Sequence, residues 1–141
     1  MNYHVAILKK AYLELILSGR KTIELRLSRG RSPLIGRVQP GDGLFLKVSA
    51  GPVCARAIVA DVRCYEALTP ALIAQIKQQY NDQILGGDAV WEGMMDRKSG
   101  LLVWLREVRP IRLIRIEKKD WRAWVVLGKG KDFGLLDRTG V

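Results

Sequence analysis

The chain has 141 residues, of which 48% are hydrophobic and 27% charged, a balance that predicts a folded globular protein rather than a disordered one. No apolar run reaches the roughly 20 residues that span a bilayer, and the first ten residues lack the apolar core of a signal peptide. We therefore expect one cytoplasmic domain over residues 1–141 without membrane contact. His4, Cys54 and Cys64 do not show the spacing of a metal site, and both thiols are expected to be free and partly buried.

The charge is strongly basic and unevenly placed. Lys and Arg number 24 against 14 acids, for a net charge of +10. Residues 1–60 contribute +7, residues 61–100 contribute −2 and residues 101–141 contribute +5. Basic side chains that contact phosphates release condensed counterions, so this charge favours a polyanionic partner. A protein that is merely soluble and basic remains the alternative.

The first half of the chain predicts strands around one helix. Residues 5–8 read as a strand, and residues 12–17 have the apolar spacing of a helix that Gly19 could end. A strand follows at residues 22–28, and then a Gly-, Pro- and Arg-rich exposed loop at 29–43. Two further strands, 44–48 and 53–63, are separated by Gly51-Pro52, as in a hairpin.

The second half predicts helices and then strands again. Thr69 can cap a helix that starts at Pro70 and ends near Tyr80. A second helix is expected to run from Asp88 past Met95 and to be closed by Ser99-Gly100. The strand pattern resumes at 101–106 and 111–117, and a loop-like tail follows. Short strands at both ends with helices between them favour a small mixed barrel.

The strand at 22–28 separates two faces. Because side chains alternate along a strand, Ile23, Leu25 and Leu27 share a face that should belong to the core. Glu24 and Arg26 share the other face, which reads as a polar site. A solvated ion pair between Glu24 and Arg26 is the structural alternative.

These residues carry a family resemblance. The chain resembles the ASCH domain family of the PUA-like superfamily, whose signature G-x-K-x-x-E-x-R is present here as Gly19, Lys21, Glu24 and Arg26. The preceding Y-L-E-L-I-L-S and the P-G-D at residues 40–42 also resemble the family. The resemblance implies an α+β fold: a small PUA-like mixed β-barrel of five or six strands with flanking and inserted helices, and a cleft lined by the motif.

The resemblance also implies work on RNA. One branch of the family hydrolyses acetylcytidine with a Lys, a Thr three residues later and a Glu from the next helical region. This sequence keeps Lys21, but Glu24 stands where the Thr would be, and residues 71–80 contain no acid. The triad of that branch is therefore incomplete here.

Our leading hypothesis is a monomeric protein that binds single-stranded or unpaired RNA through a basic cleft. Lys21 and Arg26 could contact phosphate or a base edge, and Glu24 could accept from a base amine. Tyr12, Trp121 and Trp124 are candidate stacking platforms, although core packing is the stronger expectation for Trp124, as for Trp91. The predicted nucleic-acid-binding residues are Lys9, Lys10, Tyr12, Arg20, Lys21, Glu24, Arg26, Arg29, Arg31 and Arg37.

Two alternatives belong to other classes. An RNA-processing enzyme, either a metal-assisted ribonuclease or a modified-nucleoside hydrolase, would use Lys21 and Glu24 as its acid–base pair. A protein-interaction module would use the loop at 29–43. Binding requires no cofactor, whereas a nuclease could use a divalent metal such as Mg²⁺, for which Glu24, Asp42 and Asp61 are the carboxylates at hand.

Overall fold

The computed structural model describes residues 1–117, 122–128 and 130–139. Its strands are β1 (Tyr3–Leu8), β2 (Ile23–Ser28), β3 (Gly43–Val48), β4 (Val53–Tyr65), β5 (Ser99–Ile114) and β6 (Trp124–Val126). Its helices are α1 (Lys10–Leu17), α2 (Pro70–Ile84), α3 (Asp88–Gly93) and α4 (Leu135–Thr139), the last preceded by a short 3-10 turn. Within these ranges, no helix combines the length and the apolar character needed to cross a membrane.

The six strands form one curled, half-barrel sheet in the order β2-β5-β4-β3-β1-β6. Neighbours are antiparallel except β1 and β3, which run parallel. Gly100 lets β2 approach β5 closely, because a Cβ there would collide with the backbone oxygen of Arg26. The sheet is mixed and is flanked by helices, so the predicted α+β class is confirmed.

Both faces of the sheet are covered. The inner face packs Leu8, Leu46 and Val103 against α1, whose Leu13 and Ile16 are buried. At the β2 end, the outer face is covered by α2 and α3; at the β1–β3 end, it is covered by Leu135 and Leu136 of α4. The alternation predicted for β2 is confirmed, since Ile23, Leu25 and Leu27 all belong to the outer cluster under α2 and α3.

Several predicted boundaries were wrong. Helix α2 continues to Ile84, which is buried, and ends where Leu85 takes a left-handed φ of 61°. Helix α3 ends at Gly93, and Ser99-Gly100 opens β5 instead of closing a helix.

The strands predicted at 101–106 and 111–117 are one strand. β5 runs without a break to Ile114. Its pairing with β4 contains register shifts, and Glu107 takes a φ of 51°, so the strand accommodates the residues between the two predicted segments. The predicted loop-like tail contains β6, which is held by its pairing with β1. Cys64 is exposed rather than partly buried; it lies in the second half of β4, where most residues are exposed.

Candidate nucleic-acid interface

The ASCH-like motif lies where α1 ends and β2 begins. Gly19 has a φ of 80°, a left-handed conformation without steric cost for glycine, and follows the helix as its end signal. The backbone N–H groups of Arg20 and Lys21 both donate to the Leu15 carbonyl, at 3.1 and 3.0 Å. This tight turn brings the Lys21 side chain into the protein, where the residue is only 3% exposed.

The ammonium of Lys21 is surrounded by oxygen atoms. It donates to the carbonyls of Ile23 at 2.9 Å and Ile84 at 2.5 Å, and it lies 3.5 Å from Oε1 of Glu24. Burial lowers the pKa of Lys21, and the Glu24 carboxylate opposes that shift. An ammonium has three N–H donors, so these three oxygens match its full donor set.

Glu24 connects the two cations of the motif. Its Oε1 faces Lys21, and its Oε2 accepts from an Nη of Arg26 at 2.9 Å. Because Glu24 is only 7% exposed, the interaction lies mostly out of water. The motif is therefore a buried ionic network, in which loss of one partner would leave an uncompensated charge.

Arg26 links the two ends of the sheet. Besides Glu24, its guanidinium donates to the backbone carbonyls of Ile7 and Ala123, each at 3.1 Å. Ile7 belongs to β1 and Ala123 directly precedes β6, whereas Arg26 itself is on β2, the strand at the opposite end of the sheet order. The guanidinium also lies 5.3 Å from the ring of Trp124. Arg26 thus bridges the seam of the half-barrel.

A small cavity of about 90 Å³ opens beside this network. Lys21 and Glu24 supply its charged groups, and its walls are otherwise mainly apolar or aromatic. Trp91 is fully buried, as expected for a core residue, and it also forms part of the cavity wall, which helical spacing alone does not reveal. The other wall residues are Tyr12, Leu25, Ile84, Gly86, Val90, Trp91 and Met94.

A larger depression of about 370 Å³, the basic groove, includes Arg26. The charged residues that line it are Arg26, Arg37 and Arg122, and none of its described lining residues is an acid. Ser28 and Ser32 add hydroxyl groups. The apolar part of the lining includes Pro33, Leu34, Trp124 and Val125. Sequence reasoning did not select Arg122, because the chain fold alone brings it beside Arg26.

The predicted site residues divide between these places. Tyr12, Lys21 and Glu24 line the cavity, while Arg26 and Arg37 line the basic groove. The remaining five are exposed and line neither depression: Lys9, Lys10, Arg20, Arg29 and Arg31.

Three of those five make surface ion pairs. Arg29 lies 3.3 Å from Asp96, Arg31 lies 2.7 Å from Glu66, and Lys10 lies 3.9 Å from Glu14. Of the candidate stacking residues, Trp124 is 8% exposed, as expected for a core residue, and Trp121 lies outside the described residues.

The carboxylates considered for a metal are used differently. Across the described ranges, no three His, Cys, Asp or Glu side chains are grouped so that they could hold a metal ion. Asp42, only 1% exposed, faces Nε2 of His4 at 2.8 Å and accepts from the backbone N–H groups of Asn2 and Gln39, each at 3.0 Å. This carboxylate fastens the P-G-D turn to β1.

No family model matches the sequence, and no curated protein does either. Solved structures of ASCH from Zymomonas mobilis do match. One ZmASCH mutant protein is 17% identical, with 98% of this chain and 94% of that chain covered and a TM-score of 0.74. A second ZmASCH mutant protein is 14% identical, with 100% and 99% covered and a TM-score of 0.73.

The Zymomonas mobilis structure described simply as ASCH is 16% identical, with 90% of this chain and 88% of that chain covered and a TM-score of 0.69. At such identities the similarity concerns the fold. It extends over nearly the whole chain in the two mutant structures, and it agrees with the motif found in the sequence. The protein therefore has an ASCH-type fold, with the G-x-K-x-x-E-x-R motif at the seam of its half-barrel.

Proposed function

We propose that this protein binds RNA, in single-stranded or locally unpaired form, through the basic groove. The observation that carries the proposal is the groove's charge: three arginines and no acid among its described lining residues. Guanidinium groups bind phosphate oxygens in bidentate fashion, and the net charge of +10 draws a polyanion toward the protein.

The lining of the groove suits a single strand better than a duplex. Unpaired bases can lie against apolar side chains while their phosphates contact neighbouring cations. The basic groove offers both kinds of group, because Arg26 and Arg37 line it together with the apolar side chains of Pro33, Leu34 and Trp124. Duplex RNA would present mainly phosphates and ribose hydroxyls, and would leave this apolar lining unused.

Arg26 has a double role in this proposal. Three of its five N–H groups donate to Ile7, Ala123 and Glu24 within the described residues, which fixes the guanidinium in place. We propose that the remaining N–H groups contact a phosphate in the groove. Lys21 and Glu24 act through Arg26 and shape the adjoining cavity, which could accept a base edge. The exposed cations add to the field that attracts RNA: Lys9, Lys10, Arg20, Arg29 and Arg31.

The test is RNA binding across a range of salt concentrations. Arg37→Gln is the most informative variant, because Arg37 is exposed and the hydrogen bond that it accepts from Asn2 uses only its backbone carbonyl. We expect weaker binding of a single-stranded oligonucleotide and a salt slope smaller by about 0.7, because one phosphate loses its cationic partner. Arg63→Gln, which removes an equal charge outside the groove, is the control. Salt-independent binding by the parent, or equal binding by Arg37→Gln and parent, would contradict the proposal.

An enzyme remains the second candidate because a buried lysine with a lowered pKa next to a carboxylate in a cavity is a common catalytic arrangement. We propose that such an enzyme would use Lys21 and Glu24 as its acid–base pair, with a divalent metal such as Mg²⁺ if it is a ribonuclease. Turnover of labelled RNA that Lys21→Met abolishes, with or without Mg²⁺, would favour this candidate. Binding without turnover would favour the first.

We also propose that the protein is a monomer and that it acts in the cytoplasm. Cys54 and Cys64 are both free thiols, the usual state of cysteines in that compartment. A sedimentation experiment at several protein concentrations would test the monomer.

A further inference from the structure

A second arginine-rich depression lies away from the motif. We call it the outer groove; it has a volume of about 420 Å³ and is lined by Arg56, Arg112 and Arg138 as its only charged residues among those described. The rest of the lining is Phe45, Ile111, Leu113, Ile114 and Thr139, which is largely apolar.

The two grooves lie on opposite faces of the sheet. Phe45 and Arg56 are partners across β3 and β4, and paired residues point to the same face; Phe45 packs in the outer cluster with α4. Trp124 of the basic groove is paired with Ala6, and both belong to the inner cluster. A ligand that fills one groove therefore leaves the other open.

Two of the arginines of the outer groove are held in place. The guanidinium of Arg56 lies 5.2 Å from the ring of Phe45, and that of Arg138 donates to the Arg115 carbonyl at 2.9 Å. Fixed guanidinium groups lose little side-chain entropy when they bind an anion, and their planar geometry matches phosphate. Arg112 and Arg138 are both exposed, so each can be reached from solvent.

The positive surface continues beyond the groove. A neighbouring depression of about 300 Å³ shares Arg56 and adds Arg109, with Glu107 as its one acid among the described lining residues. Tyr3 also lines it. Apolar and aromatic groups next to several arginines suit a phosphate chain that carries bases, because an acidic peptide would leave most of those apolar groups without a partner.

We propose that the outer groove is a second phosphate-binding surface, which holds a distant stretch of the same RNA strand that enters the basic groove. This inference rests on the proposed function. It predicts that the protein binds long RNA more tightly than short RNA, by an increment that depends on Arg112 and Arg138.

The experiment compares single-stranded RNAs of about 5 and about 30 nucleotides, since only the longer one can reach both faces. Arg112→Gln/Arg138→Gln should bind the short RNA as the parent does, but lose the gain shown by the long RNA. Its salt slope for long RNA should fall by about 1.4, for two phosphate contacts at about 0.7 each. Arg63→Gln/Lys77→Gln removes the same charge from the α2 side and should keep most of that gain. Thermal unfolding verifies that both variants fold.

The outcomes separate the two proposals. If the parent binds short RNA through Arg37 but the Arg112/Arg138 variant keeps the full gain with long RNA, the outer groove is not an RNA surface and the proposed function stands. If neither RNA binds, both proposals fail. If both double variants lose the gain equally, the effect is one of net charge and the outer groove has no special role. If the Arg112/Arg138 substitutions weaken the binding of polyglutamate but not the binding of RNA, the groove belongs to acidic proteins and the inference is overturned.

Discussion

The guanidinium of Arg26 donates to oxygens from three parts of the chain: the Glu24 carboxylate and the carbonyls of Ile7 and Ala123. A lysine at this position has a single ammonium centre and cannot span all three. We therefore expect Arg26→Lys to lower the free energy of unfolding by about 1.5–3 kcal/mol, the value of hydrogen bonds to a charged group. Urea denaturation measures this loss.

The matched control for that prediction is Arg29→Lys. Arg29 has a 77% exposed side chain and its partner is the exposed Asp96, so its replacement should leave the urea midpoint unchanged. Equal midpoints for Arg26→Lys and the parent would show that the seam between β2 and β6 does not depend on this guanidinium.

His4 is the one histidine of the chain and is fully buried. Its Nε2 faces Asp42, whereas its Nδ1 has no partner within the described residues, so protonation would place an unpaired N–H in the core. Burial accordingly lowers the pKa of His4 below 6.5, Asp42 opposes the shift and Arg37 reinforces it.

The consequence for stability follows from proton linkage. The unfolded chain takes up a proton at His4 as the pH falls through 6.5, while the folded protein resists it, so the stability present above that pH is lost below it. We expect the unfolding free energy to decrease as the pH falls below 6.5, and His4→Gln to reduce that dependence. An NMR titration of the single imidazole with a midpoint at or above 6.5 would contradict this account.

At the scale of elements, one side chain organises the connection between α2 and α3. The Asn81 amide donates to the Gly86 carbonyl at 3.0 Å, and its Oδ1 accepts from the Gly86 N–H at 2.8 Å and from Trp91 Nε1 at 3.0 Å. Gly86 and Trp91 both line the small cavity beside Lys21 and Glu24. Asn81 therefore fixes the wall that faces Lys21 and Glu24.

Asn81→Ala should cost about 3 kcal/mol of stability, because three hydrogen bonds of about 1 kcal/mol are removed and the Trp91 N–H is left buried without an acceptor. Tryptophan fluorescence should also change, since the Trp91 indole loses its partner. The matched control is Asn2→Ala, because the exposed hydrogen bond from the Asn2 side chain to the Arg37 carbonyl lies outside the cavity. An unfolding midpoint equal to that of the parent would exclude a fixed cavity wall.

The sequence was sufficient for features whose signal is local. The alternation of Ile23, Leu25 and Leu27 predicted both the strand and its core face, because a period of two is a property of the strand itself. Gly19 and Thr69 marked a helix end and a helix start for the same reason, and the motif predicted the ASCH-type fold.

Features that depend on distant backbone atoms could not be predicted. Arg26 finds its partners 19 and 97 residues away, and both are carbonyls, which every residue has. β6 has three residues and depends on its pairing with β1 rather than on a pattern of its own. The division of the predicted cleft into a cavity and a basic groove has the same origin, since Glu24 lines the first and Arg26 the second only in the folded sheet.

At the scale of the whole molecule, the net charge of +10 has opposite effects on folding and on binding. Like charges on the folded protein repel one another, and salt screens that repulsion. If the protein binds RNA as proposed above, salt also competes with the RNA phosphates for the arginines. Between about 10 and 150 mM NaCl, we therefore expect the free energy of unfolding to rise while the affinity for RNA falls. Guanidinium chloride would itself act as a salt, so the unfolding series requires urea. If both quantities fall together, loss of binding reports loss of fold, and the salt dependence would no longer be evidence for phosphate contacts.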